Sequence, residues 1–129
     1  MDMAFRIRIH TESTGYVLAE ILEDKNPKTA RSIINALPIE SRVNRWGEEV
    51  YFSTNIRQDE EKSQEEVEVG DIGYWPPGKG FCIFFGRTPA STGSRPRAAS
   101  PVNVFGRITG DPKAFGKTKS GEKIRVEKG

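Results

Sequence analysis

The sequence is poor in cysteine, histidine and long apolar runs. It contains a single cysteine, Cys82, which excludes an internal disulfide and predicts a reducing compartment, the cytoplasm. One histidine and one cysteine do not supply the ligands of an ordinary zinc site, so we predict no metal and no bound cofactor. No apolar stretch approaches the roughly 20 residues that cross a bilayer, so no membrane partner is predicted. The start, MDMAFRIRIH, lacks a signal-peptide core because charges interrupt its apolar residues.

The composition and charge indicate a soluble protein. With 35% hydrophobic and 29% charged residues, the 129 residues predict one domain over residues 1–129. Segment 57–69 carries six acidic and two basic residues, whereas the chain from Gly70 onward carries eleven basic and four acidic ones. This basic half is either ordinary solvated strand faces or a nucleic-acid surface. We favour the first, because no basic cluster is interleaved with exposed aromatic residues. RNA binding that falls steeply with salt would indicate the second.

Alternation of apolar and polar residues predicts most of the chain to be β-strand. Phe5, Ile7 and Ile9 alternate with two arginines and a histidine, which is the period of a strand with one buried face. The further predicted strands lie within 16–22, 39–46, 49–53, 67–69, 81–85, 102–108 and 124–126. Eight strands with no alternating helices favour an antiparallel sheet that closes into a barrel, since closure removes exposed edges.

One helix is predicted between the second and third strands. Asn26 is a typical N-cap, and Pro27 suits the first helical position. Ala30, Ile33, Ile34 and Leu37 then form one apolar stripe, and Pro38 ends it. A short second helix, of one turn, is predicted from Asp111-Pro112 to Phe115.

Residues 70–89, GDIGYWPPGKGFCIFFGRTP, are the centre of the predicted fold. The run Phe81–Phe85 is the most apolar in the chain and is typical of a strand buried on both faces. The preceding Pro-Pro-Gly continues neither a helix nor a central strand, so it predicts a rigid loop at the rim of the sheet.

Two motifs carry a resemblance to a known family. VNRWGEEVYFST (43–54) and GDIGYWPPGKG (70–80) resemble small prokaryotic proteins of unknown function with a cyclophilin-like fold. The resemblance implies an eight-stranded barrel plugged by helices. More distantly, PKTA (27–30) and FGR (105–107) resemble segments of the cyclophilins, which are peptidyl-prolyl isomerases.

The cyclophilin resemblance maps only part of an isomerase groove onto this chain. It implies that Arg45 would hydrogen-bond to a substrate around the proline amide, which suits a guanidinium with a fixed fork of donors. Ser53 stands where cyclophilins have a glutamine, and Val102 where they have a histidine. We therefore expect a binding module that takes a peptide or small molecule in a groove on the side of the barrel. The alternative is a weak prolyl isomerase that uses Arg45.

The predicted groove is bordered by six residues: Arg45, Tyr51, Ser53, Tyr74, Trp75 and Phe84. Two interpretations are open for the rings that flank the turns, those of Trp46, Tyr74 and Trp75: they line a ligand cleft, or they cap the end of the barrel. Glu48 and Glu49 are adjacent, so in a strand they face opposite ways, and we assign them to structural pairing rather than to acid–base chemistry. Cys82 lies in the apolar run and is expected to be a buried, unreactive thiol.

Overall fold

A computed structural model describes residues 4–129 and shows an antiparallel β architecture with one α-helix. The first three positions of the predicted domain, which are also part of the segment assessed for a signal peptide, lie outside the described residues. The helix α1 spans Pro27–Ala36, and short 3-10 helices span Pro76–Gly78 and Pro112–Lys117. The strands are β1 (Phe5–Thr11), β2 (Gly15–Ile21), β3 (Ile39–Arg42), β4 (Asn44–Arg45), β5 (Glu49–Ser53), β6 (Gln64–Glu66), β7 (Asp71–Trp75), β8 (Gly80–Phe84), β9 (Arg97–Ile108) and β10 (Lys123–Lys128).

The sheet is antiparallel throughout, but its hydrogen-bonded order is an open path. Nine strands follow the order β3-β10-β1-β2-β9-β7-β8-β5-β4, and β6 pairs with β9 beside this path. Within residues 4–129 no ladder joins the two ends of the path, so a closed barrel is not confirmed. The ends approach each other where the Ser41 hydroxyl donates to the carbonyl oxygen of Ser53, 3.0 Å away.

The strand count also differs from the predicted eight. The single strand expected over 39–46 is divided at Val43, because its N–H donates to the Glu122 carbonyl oxygen and its own carbonyl oxygen accepts from Gly121. The strand expected at 67–69 lies earlier, at β6. Asp71–Trp75 form β7 between β8 and β9, a strand that was not among the predicted eight. Only Pro76–Gly78 is the compact turn that Pro-Pro-Gly predicted.

The central strand β8 is buried on both faces, as its composition predicted. Successive side chains of a strand point to opposite faces, and β8 therefore contributes to two apolar clusters. Phe81 and Ile83 belong to the main core, with residues of β1, β2, β5, β7, β9, β10 and α1. Cys82 and Phe84 belong to a smaller cluster on the opposite face, completed by Val67, Ala98, Val102 and Val104. This second face carries the site described below.

Helix α1 begins at the predicted residue, although its N-terminus is capped from elsewhere in the chain. Asn26 makes no side-chain cap bond; its Nδ2 donates to the Val104 carbonyl oxygen at 2.8 Å. The Glu61 carboxylate instead accepts from the N–H groups of Lys28 and Thr29, each at 3.1 Å. Burial alone would raise the pKa of Glu61, but these hydrogen bonds outweigh it and lower that pKa. A distant carboxylate thus holds loop 54–63 against the helix.

Candidate functional site

A pocket of about 190 Å³ opens on the outer face of the sheet, above the smaller apolar cluster. Strands β5, β8 and β9 form its floor, and two indole rings form part of its walls. Its lining residues are Trp46, Glu49, Tyr51, Trp75, Cys82, Ala98, Ala99 and Val102. A water molecule occupies about 30 Å³ in the liquid, so the pocket has room for about six waters or one small organic group.

The Trp75 wall of the pocket is fixed by the Pro-Pro-Gly turn. Its Nε1–H donates to the hydroxyl of Ser100 at 2.6 Å, which orients the indole. Gly78 lies against the six-membered ring: a Cβ added there would be 2.5 Å from Cζ3 of Trp75. The conspicuous motif YWPPGKG therefore shapes a wall of the pocket, with a glycine where the ring leaves no space for a side chain.

The Trp46 wall comes from the turn between β4 and β5. The Trp46 N–H donates to the Glu49 carbonyl oxygen at 3.0 Å, which closes the turn. Gly47 has a φ of +59°, and a Cβ there would meet Cδ of Pro89 at 2.8 Å. Few residues other than glycine adopt this conformation in such a confined place. The turn thus sets the position of Trp46 relative to Glu49 at the pocket floor.

Glu49 is the unusual group of the pocket. Only 5% of its surface is exposed, and it forms no ion pair with any lysine or arginine of residues 4–129. Burial raises the pKa of this carboxyl to about 7, and a hydrogen bond with the Cys82 thiol only partly opposes the rise. Its charge therefore changes close to neutral pH.

Cys82 lies on the pocket floor beside Glu49, on the neighbouring strand. Burial raises the pKa of the thiol well above its usual value, and the negative charge of Glu49 raises it further. Since the thiolate is the reactive form, this environment favours the unreactive thiol that the sequence predicted.

Two of the six predicted groove residues line this pocket, Tyr51 and Trp75. Phe84 is fully buried in the cluster below it. Tyr74 belongs to the main core instead, where its hydroxyl donates to the Ile56 carbonyl oxygen at 2.6 Å. Ser53 is exposed at the end of β5, away from the pocket lining.

Arg45 also lies outside the pocket lining, and its guanidinium is occupied by backbone carbonyls. Nε and Nη2 donate to Gly47 at 3.2 and 3.0 Å, and Nη1 donates to Gly116 and Thr118 at 3.2 and 2.9 Å. Its guanidinium carbon lies 5.0 Å from the centre of the Phe85 ring. Arg45 thus ties the β4–β5 turn to the C-terminal end of the second 3-10 helix.

Two further lining residues, Trp46 and Glu49, were not among the six predicted groove residues, although lining a ligand cleft was one of the two interpretations of Trp46. A signal was present, because alternation along β5 places Glu49 on the same face as Tyr51. The assignment of Glu49 to structural pairing was wrong, since no cation is paired with it among the described residues. The pattern did not reveal that β9 and Trp75 cover this face and remove the carboxyl from water.

A metal site and a membrane-spanning helix were also sought within residues 4–129. No group of three or more histidine, cysteine, aspartate or glutamate side chains is arranged to hold a metal ion. No helix in the same range is long and apolar enough to cross a membrane.

Comparison with known proteins places the chain in a family. A search of curated proteins finds no match. A hypothetical protein from Archaeoglobus fulgidus, whose solution structure is known, is 43% identical and superposes with a TM-score of 0.84. That match covers 100% of this chain and 98% of the archaeal one. A family model described as cyclophilin-like matches residues 5–127. The chain therefore belongs to the cyclophilin-like family, as the two motifs predicted.

Proposed function

We propose that this protein is a cytoplasmic, single-domain binding module whose outer-face pocket takes a small molecule or the end of a peptide side chain. The observation that carries the proposal is Glu49, a buried carboxyl that has no ion-pair partner within residues 4–129 and borders an open, aromatic-walled pocket. Burying an ionisable group without a partner costs free energy, so its placement at a pocket floor favours a role in binding.

The size of the pocket limits the ligand. Sites for drug-sized molecules occupy roughly 300–1,000 Å³, whereas this pocket has about 190 Å³. It suits one compact group rather than an extended peptide. Tyr51 and Trp75 would contact that group, and Phe84 would support the floor from below.

The two tryptophans provide the test, because both tryptophans of the chain line the pocket. Their indole N–H signals can be followed by NMR while tert-butanol, phenol, benzoate and choline are added in turn. We expect at least one of these probes to shift both signals in a saturable way. No saturable shift with any probe would overturn the proposed function.

A pocket-filling variant gives the matched control. Ala99 is exposed and borders the pocket, so Ala99→Phe should block binding without disturbing the core. Ser94→Phe adds the same ring at an exposed loop position outside the lining and should bind as the wild type does. If Ala99→Phe still binds the probe, the probe binds to another surface of the protein, and the pocket is not the binding site.

Family membership also suggests weak prolyl isomerase activity through Arg45. Its donors are already bound to carbonyl oxygens of Gly47, Gly116 and Thr118, which favours a structural role. A coupled assay on a proline peptide compares the wild type with Arg45→Ala. Equal isomerisation rates in the two proteins would show that Arg45 does not catalyse prolyl isomerisation.

A further inference from the structure

The pocket combines three aromatic rings with one carboxyl. Trp46, Tyr51 and Trp75 line the same 190 Å³ pocket as Glu49, and none of its lining residues is cationic. Aromatic rings attract cations through the negative potential of their faces, and the attraction strengthens when water is excluded. A carboxylate among such rings adds an opposite charge. This arrangement complements a positive ligand and disfavours an anion.

The lining also discriminates among cations. A primary ammonium has three N–H donors that need acceptors once water is removed. Here the pocket floor offers the Glu49 carboxylate and otherwise apolar side chains from Ala98 and Val102. A methylated ammonium presents methyl groups in place of those donors, so its desolvation leaves fewer hydrogen bonds unmade.

We propose that the pocket binds a methylated ammonium group, with the cation against the aromatic rings and paired with the carboxylate of Glu49. This inference rests on the proposed function and names the chemistry of its ligand. The group could belong to a free small molecule or to a methylated lysine side chain, and 190 Å³ accommodates a head group of this size.

The state of Glu49 makes this binding dependent on pH. The carboxyl is hydrogen-bonded to the Cys82 thiol on β8, and no lysine, arginine, histidine or second carboxylate is among the other residues of the pocket lining, which are Trp46, Tyr51, Trp75, Ala98, Ala99 and Val102. The pKa of Glu49 is about 7, so the ionised fraction rises roughly tenfold between pH 6 and pH 8. A cation binds the ionised form, and its affinity should rise by up to about the same factor.

The test compares choline with 3,3-dimethyl-1-butanol, a neutral molecule of nearly the same shape. Tryptophan fluorescence and the indole NMR signals report binding from inside the pocket. At pH 8 we expect choline to bind at least about tenfold more tightly than the neutral alcohol, since both the rings and the carboxylate favour the charge. Glu49→Gln should lose most of this preference and its pH dependence, while its NMR spectrum shows that it remains folded.

Two lysine derivatives, compared with choline, show whether the methylated ammonium group belongs to a protein side chain or to a free small molecule. N-acetyl trimethyl-lysine methylamide is compared with its unmethylated lysine counterpart and with choline. Tighter binding of the lysine derivative would indicate a modified protein as the partner, and tighter binding of choline a free metabolite. Preference for unmethylated lysine would overturn the proposed selectivity.

Failure of this inference is distinguishable from failure of the proposed function. If tert-butanol or phenol binds while choline does not, the pocket is a binding site but the cation assignment is wrong. Equal affinities for choline and its neutral analogue would also overturn the assignment, as would unchanged choline binding in Glu49→Gln. If no probe binds, the proposed function itself fails.

Discussion

Replacing Glu49 by glutamine should change how the stability of the protein depends on pH. Burial raises the pKa of Glu49 from its usual 4.5 to about 7 in the folded chain. Between these two values the folded state binds more protons than the unfolded state, so the free energy of unfolding falls as pH rises. The stabilising effect of the raised pKa is complete below about pH 4.5 and is lost as pH rises through 7.

The size of the effect follows from the pKa difference. Each pKa unit corresponds to about 1.4 kcal/mol, so the wild type should lose about 3 kcal/mol through this residue between pH 4 and pH 8. Glu49→Gln has a similar shape and no titrating group, so it should not show this loss. Burial raises the pKa of Asp71, and hydrogen bonds lower the pKa of Glu61. Both residues are present in the two proteins, so their contributions to the pH dependence of stability cancel in the comparison.

Urea unfolding at intervals from pH 4 to pH 8 measures the difference. The stability of Glu49→Gln relative to the wild type should increase with pH by about 3 kcal/mol, mostly between pH 5 and pH 7. Glu48→Gln is the matched control, because it makes the same change at the exposed neighbouring position and keeps the Glu49 carboxyl, so its stability should still fall as pH rises. Parallel curves for Glu49→Gln and the wild type would refute the claim that the buried carboxyl titrates near neutral pH.

Three further substitutions test the structural account by urea or thermal unfolding. Gly78→Ala places a Cβ 2.5 Å from Cζ3 of Trp75 and should cost about 1–3 kcal/mol and weaken ligand binding. Gly93→Ala, with nothing within 4 Å, should be neutral, and equal effects of the two would contradict the account. Arg45→Ala removes the donors to the carbonyl oxygens of three residues and should lower the free energy of unfolding by about 2 kcal/mol. Arg45→Lys should recover only part of this loss, because an ammonium group lacks the planar fork of donors. Glu61→Gln should cost about 1 kcal/mol by weakening the helix cap, and unchanged stability would show that the cap contributes little.

The local patterns of the sequence predict the secondary structure well where one rule dominates. The alternation through Ile7 and Ile9 is confirmed, since both are fully buried in β1. Helix α1 begins at Pro27, and its stripe places Ala30 and Ile33 in the core. These predictions succeed because the period of a strand or helix alone determines which side chains face the core.

The features that sequence reasoning missed depend on contacts between distant segments. Glu61 caps a helix more than thirty residues earlier, and nothing in its local sequence indicates that partner. Glu49 looks like an ordinary polar strand residue until β9 covers it and removes it from water. Arg45 matched a cyclophilin position, but backbone carbonyls from Gly116 and Thr118 occupy its donors. The sequence shows which side chains are charged and where the motifs lie. The contacts with distant segments determine the pKa and the hydrogen-bond partners of each of these side chains.

The most direct measurement of the central claim is the titration of the Glu49 carboxyl carbon by NMR, with and without saturating choline. In the free protein we expect a midpoint near pH 7, because burial raises the pKa of this carboxyl. With choline bound, the cation should stabilise the carboxylate and move the midpoint to lower pH. A midpoint near 4.5 in the free protein, or one that choline leaves unchanged, would contradict the account.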